Sequence, residues 1–178
     1  MKIELKNFKF YDKLSEETYC FQANIWVDGI KCGATENRGI GGETDYSHDG
    51  TDASRQLIKL AEAYCLTLPP IKWDSSVSGD TLELDMNLTH YIDEAVEKLV
   101  KKRDDDLHAK TLTKKMQKAI LIGNDEKYRE IGFKMPLKEV WQNHPDYFKQ
   151  VLTEKLTQYA QNGYRLLNTN IPKQYLPS

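Results

Sequence analysis

The chain has 178 residues, of which 39% are hydrophobic and 29% are charged, and its formal net charge is −2. This balance excludes a disordered polar chain and favours one globular domain over residues 1–178. No run approaches the ~20 apolar residues of a membrane span, no secretory signal is visible at the N-terminus, and the three cysteines form no CxxC pair. We therefore expect a cytoplasmic protein without a membrane partner.

Alternating apolar residues near the N-terminus predict a β-hairpin. The stretch at 18–27 reads TYCFQANIWV and is followed by Asp28-Gly29 and then by IKCGATE. Asp-Gly between alternating runs favours a tight turn, because glycine adopts positive φ at little cost. An earlier alternating run, KIELKNFKFY after Met1, provides a further strand.

Trp26 is the aromatic candidate for ligand binding on this hairpin. Phe21, Ile25 and Val27 share the parity expected to face the core, so Trp26 falls on the opposite, polar face. A nucleobase or another flat ligand can stack on an indole ring in that position. The alternative is that a helix of the same protein covers it.

The hairpin leads into a loop with three glycines in four positions, Gly39, Gly41 and Gly42, preceded by Arg38. Backbone N–H groups of such a loop can form a nest for a phosphate, with Arg38 as the nearby cation. It is neither a Walker A sequence nor a dinucleotide fingerprint. Acidic residues follow at once and would repel an anion, so a flexible loop leaving the strand is the alternative.

An acidic cluster with one imidazole follows the loop. Asp45, His48, Asp49 and Asp52 lie within eight residues. Carboxylates suit hard cations or acid–base chemistry, but the spacing matches neither an EF-hand nor a zinc site. The same residue types cap helices. We predict no catalytic residue, metal or cofactor here, and retain Asp45, His48 and Asp49 as residues that bind a ligand or partner.

Helical periodicity predicts a helix from Thr51 or Asp52 to Pro69 and a second helix from about Asn87 or Thr89. The second helix can continue through Leu107, Leu112 and Met116. The serine-rich stretch at 71–81 predicts an exposed loop between the two helices.

The C-terminal part predicts a second hairpin and further helices. An apolar run at 119–122 and the stretch 128–133 flank Gly123-Asn124-Asp125. Pro136 and Pro145 each open a helix, the second of which ends before Gly163, and 164–167 predicts an edge strand. These elements indicate an α+β fold: a mixed or antiparallel sheet built from two β-hairpins, packed against three to four helices.

Three stretches of the N-terminal part resemble a group of uncharacterised small proteins of bacteriophages and bacterial mobile elements. They read SEExxCFxA from Ser15, with Thr18 at its fourth position, VDGxKxG from Val27 and NxGxGG from Asn37. The resemblance implies an intracellular phage or prophage setting. It also favours a protein that binds a host factor, because many small phage proteins do so.

The leading functional hypothesis is therefore a non-enzymatic phage or mobile-element protein that binds a host protein or sequesters a small, nucleotide-like ligand, with counter-defence as its sharpest form. The first alternative is an enzyme on a phosphate-containing substrate, using the loop 39–42 and the cluster Asp45, His48 and Asp49. The second is a nucleic-acid binder using the lysines of 110–118. The acidic total charge disfavours nucleic acid, and the oligomeric state is left open.

Overall fold

The computed structural model describes residues 1–74, 81–124 and 126–176, and it confirms the α+β class. The chain divides into two compact units, Met1–Arg103 and Asp104–Ser178, each with buried apolar clusters of its own. This division into compact units does not test the expectation of one domain over residues 1–178, which stays a prediction. Within the described ranges, no helix combines the length and apolarity needed to cross a bilayer.

The first unit is built on a four-stranded antiparallel sheet in the order β1-β2-β3-β4. The strands are β1 (Ile3–Phe10), β2 (Phe21–Val27), β3 (Ile30–Asn37) and β4 (Asp45–His48). A short 3₁₀ helix at Asp12–Leu14 interrupts the path from β1 to β2. The predicted first hairpin is thus confirmed as β2 and β3.

Two helices cover one face of this sheet. Helix α1 (Asp52–Cys65) begins where predicted, and the Thr51 side chain caps it by accepting the Ser54 N–H at 3.1 Å. Helix α2 (Leu88–Met116) extends as far as predicted and runs across the division between the units. The core-facing strand residues pack with buried residues of both helices, among them Ile25, Val27, Ile58, Ala61, Ile92 and Val96. All three cysteines are free and buried.

The prediction of an exposed loop over 71–81 is wrong at both ends. Strands β5 (Ile71–Asp74) and β6 (Thr81–Leu84) pair antiparallel, with Ile71 opposite Leu84. Residues 75–80, the middle of the predicted loop, lie outside the described residues. Alternation in short strands is easily hidden by neighbouring proline and serine, and here Pro69-Pro70 and Ser75-Ser76 flank the sequence of β5.

The second unit contains a three-stranded sheet in the order β8-β7-β9. Its strands are β7 (Ala119–Gly123), β8 (Tyr128–Gly132) and β9 (Arg165–Leu166), which confirms the second hairpin and the edge strand. The predicted turn residue Asp125 lies outside the described residues. The two predicted hairpins lie in separate sheets.

Helices α3 (Leu137–Asn143) and α4 (Pro145–Ala160) complete the second unit, as the two prolines predict. Buried Trp141, Phe148 and Leu152 form its core with the central strand β7. A 3₁₀ helix at Lys173–Tyr175 packs against the same core through Tyr175.

The Asp28-Gly29 turn yields a stability prediction. Asp28 and Gly29 have φ values of +47° and +84°, the tight turn that the sequence predicts. A Cβ on Gly29 would meet nothing within 4 Å, so the effect of Gly29→Val isolates backbone strain. We expect Gly29→Val to lower the free energy of unfolding by about 1–3 kcal/mol, measured by chemical denaturation.

Gly132 provides the matched control, because a Cβ there also meets nothing within 4 Å, while its φ is not positive. Gly132 lies in β8, where valine fits the strand. Equal losses in Gly29→Val and Gly132→Val would contradict the turn.

Candidate binding cleft

A cleft of about 790 Å³ opens in the first unit, between the segment 15–19, the loop 42–44 and the first turns of α2. Aromatic and aliphatic side chains line it at Tyr19, Phe21, Ile71 and Val96. Six carboxylate side chains also line it: Glu16, Glu17, Glu43, Asp93, Glu94 and Glu97. Among the described residues that form this lining there is no Lys or Arg, so the surface is apolar and acidic together. We call it the acidic cleft.

Asn37, at the end of β3, ties two walls of the acidic cleft together. Its side chain is buried, and its Oδ1 accepts the Thr18 hydroxyl at 2.8 Å and the Gly39 N–H at 2.9 Å. Its Nδ2 donates to the Gly42 carbonyl at 3.3 Å and to the Thr44 Oγ1 at 3.2 Å. This amide therefore uses all of its donor and acceptor groups within the protein.

Thr44 carries the network on to helix α2. Its hydroxyl, which is buried, accepts from Asn37 and donates to the Asp93 Oδ1. Desolvation raises the pKa of Asp93 above that of an ordinary aspartate, and the negative charge of Glu43 acts in the same direction. The hydrogen bond from Thr44 and the positive charge of His90 lower the pKa of Asp93, but by less. Asp93 is thus a carboxyl group that takes up a proton early as the pH falls.

The glycine loop packs closely against its own chain. Gly39 has φ +83°, and a Cβ on it would lie 2.2 Å from the Leu14 carbonyl oxygen. The Gly39 carbonyl accepts the N–H groups of Glu16 and Glu17 at 2.8 and 3.0 Å. Glycine is required because the segment 14–20 approaches its backbone. Since the Gly39 N–H already donates to Asn37, a phosphate nest has one donor fewer than the sequence indicates.

The predicted binding residues lie on several different surfaces. Gly42 lines the acidic cleft, and Gly41 adjoins it because a Cβ there would lie 2.5 Å from the Glu17 Oε2. Arg38 is exposed and lines a separate pocket of about 320 Å³. Asp45 lines a broad concavity of about 1030 Å³ formed by the sheet strands. The structure does not bring Arg38 or Asp45 into the acidic cleft.

His48 and Asp49 are engaged in the turn that leads into α1. Asp45 and His48 are three residues apart on β4, so their side chains point to opposite faces of the sheet. The His48 Nδ1 accepts the Gly50 N–H at 3.0 Å. The nearby Ser54 side chain, and then the Thr51 N–H and hydroxyl, which donate to the Asp49 Oδ1 at 3.1 and 2.9 Å, lower the pKa of Asp49. These contacts support the capping interpretation, and no group of three or more His, Cys, Asp or Glu within the described ranges could hold a metal ion.

Trp26 lies on the sheet face away from the two helices of its unit. The Lys6 ammonium lies 4.1 Å from the centroid of its ring, a cation–π contact. The indole Nε1 is buried and has no hydrogen-bond partner in the described part of the chain. One face of the predicted stacking surface is therefore covered by a lysine of the same unit.

Sequence reasoning missed most of the residues of the acidic cleft. A readable signal existed on α2, because His90, Asp93, Glu94 and Glu97 follow the i, i+3, i+4, i+7 spacing of one helix face. Glu16 and Glu17 are distant from that helix face in the sequence, and folding of the chain brings them beside it.

No protein-family model, curated protein or solved structure matches the chain. The geometry and charge of the acidic cleft are therefore the basis for assigning a function.

The hydrogen-bond network predicts a large effect of Thr44→Val. Valine keeps the shape of threonine but leaves Asn37 Nδ2 with one partner fewer and removes the donor to Asp93. We expect a loss of about 1–3 kcal/mol in the free energy of unfolding, measured by chemical denaturation. Thr113→Val is the control, since that threonine is exposed on α2 and its hydroxyl donates to the Ala109 carbonyl of the same helix. Equal effects of both changes would refute the role of Thr44.

The raised pKa of Asp93 predicts a definite sign of pH dependence. Folding favours the protonated carboxyl group, so its contribution to stability falls as the pH rises from the ordinary value of 3.8 through the raised pKa. Stability of the wild type relative to Asp93→Asn should therefore fall with pH over that interval. Asp49, whose pKa is lowered, should give the opposite slope relative to Asp49→Asn in the interval below 3.8, where stability rises with pH. Denaturation across a pH series measures both, and slopes of the same sign would contradict the assignment.

Proposed function

We propose that this protein is a non-enzymatic binding protein of phage or mobile-element origin, and that it binds a protein of the host cytoplasm through the acidic cleft. The observation that carries the proposal is the construction of the cleft wall. The segment 15–18 and the loop 37–42, which belong to two of the three stretches that carry the resemblance to small phage proteins, are bonded to each other there. Parts of the sequence motif therefore build one wall of the cleft, which supports its use as the binding surface.

The bonding pattern favours binding over catalysis. The polar side chains at the base of the wall, Thr18, Asn37 and Thr44, bond to one another and hold the shape of the cleft. The imidazole that lines the cleft, His90, has its Nδ1 3.1 Å from the Asp85 carbonyl. A rigid concave surface held by internal bonds is suited to recognition, because little ordering is needed on binding.

Charge disfavours the alternative of a phosphate-containing substrate. Six carboxylates beside Gly42 would repel a nucleotide, and Arg38 lines a different pocket. A macromolecular partner is favoured over a small sequestered ligand because several rim carboxylates, including Glu16, Glu43 and Glu97, are exposed to solvent.

The test is affinity capture from a bacterial host lysate, treated with nuclease and read by mass spectrometry. Three tagged proteins are compared: the wild type, the cleft variant Glu16→Lys/Glu97→Lys, and the control Asp105→Lys/Asp106→Lys. The control makes the same charge change at exposed positions of α2 outside the cleft lining. We expect proteins that are captured by the wild type and the control but lost with the cleft variant. Identical capture by all three would refute the cleft as the binding surface.

A further inference from the structure

We infer that the acidic cleft receives an arginine side chain on an exposed segment of its protein partner. This inference rests on the proposed function and adds the chemistry of the partner. Three features of the cleft support it: its charge, its apolar lining and one exposed aromatic ring.

Most of the negative charge of the cleft has no ion-pair partner within the part of the chain that the structure describes. Glu94 pairs with Lys98 at 3.3 Å, but Glu16, Glu17, Glu43 and Glu97 form no ion pair with any residue that the structure describes. Carboxylates that line one concavity add their fields, and the resulting negative potential attracts a cation. Because both the 15–19 side and the α2 side carry such groups, a cation between them gains from both.

The apolar lining specifies what kind of cation fits. Tyr19 is 43% exposed, and its ring meets Phe10 edge to face at a centroid distance of 5.8 Å, which holds it in place beside the cleft. Arginine has an apolar stem that packs on aromatic and aliphatic surface, while its head carries the charge. A guanidinium can also stack on a tyrosine ring. A bare metal ion would use none of this apolar surface.

Arginine is favoured over lysine by hydrogen-bonding geometry. A guanidinium presents five N–H donors in a planar fork and forms bidentate pairs with carboxylates. The six carboxylates are distributed over three chain segments, at 16–17, at 43 and at 93–97, so they approach a ligand from different directions. A planar group with several donors can satisfy more of them than one ammonium can.

The experiment uses the full-length protein and a fluorescent nine-residue peptide containing three arginines, followed by anisotropy. The comparison ligands are the same peptide with citrulline, which is isosteric and neutral, the same peptide with lysine, and spermine. We expect the arginine peptide to bind best, the citrulline peptide not to bind, and affinity to fall with salt. Equal binding of the arginine and citrulline peptides, or of spermine and the arginine peptide, would overturn the inference.

Variants then locate the site. Glu16→Gln/Glu97→Gln should weaken binding of the arginine peptide about tenfold, and Tyr19→Leu should weaken it several-fold. The control Asp105→Asn/Asp106→Asn should bind within about twofold of the wild type. Circular dichroism verifies that each variant is folded. Absence of binding to the wild type, or equal losses in the cleft and control variants, would refute the assignment.

The two proposals fail in different ways. Cleft-dependent capture of a host protein without binding of the arginine peptide would leave the proposed function standing and reject the arginine side chain. Binding of the arginine peptide in the cleft, with capture that is the same for all variants, would reject the proposed partner instead.

Discussion

The acidic cleft depends on one buried amide. Asn37 accepts two hydrogen bonds and donates two, and its partners lie on the segment 15–18, on the glycine loop and at Thr44. Leaving a buried amide group without a hydrogen-bond partner costs about 1–3 kcal/mol. Moving any one of these partners away from Asn37 would incur that cost, so the hydrogen bonds fix their positions. A single side chain at the end of β3 therefore positions two walls of the cleft, and through Thr44 it reaches the helix that forms the third.

The glycine loop 39–42 is conspicuous in the sequence, but the sequence does not reveal that the loop packs against its own chain. A run of glycines indicates either positive φ or a close approach of another group to the backbone. The sequence does not indicate what approaches, and the interpretation as a phosphate loop assumed a ligand. At Gly39 the approaching group is the Leu14 carbonyl of the same chain. The need for glycine is local and could be predicted, whereas the identity of the neighbour depends on how β3 leads the chain back to the 3₁₀ helix.

The rest of the fold also divides into features that neighbouring residues determine and features that distant residues determine. The Asp28-Gly29 turn, the Thr51 cap and the prolines that open α3 and α4 act within a few residues, and each was predictable. The strands β5 and β6 were missed because four-residue strands carry too few alternations to outweigh the surrounding proline and serine. The cleft was missed because its walls are contributed by residues some 75 positions apart in sequence.

The charge of the cleft has a consequence for stability as well as for binding. Carboxylates gathered on one concave surface repel one another, and at Asp93 desolvation and the charge of Glu43 both raise the pKa. Folding of this unit must offset that repulsion with its apolar core and with the bonds of Asn37 and Thr44. Charge by itself would give a partner fast, salt-sensitive association, whereas apolar contact at Tyr19 and Ile71 would slow dissociation. A surface that combines both can be selective, because an anion is repelled and a purely apolar segment leaves the carboxylates unpaired.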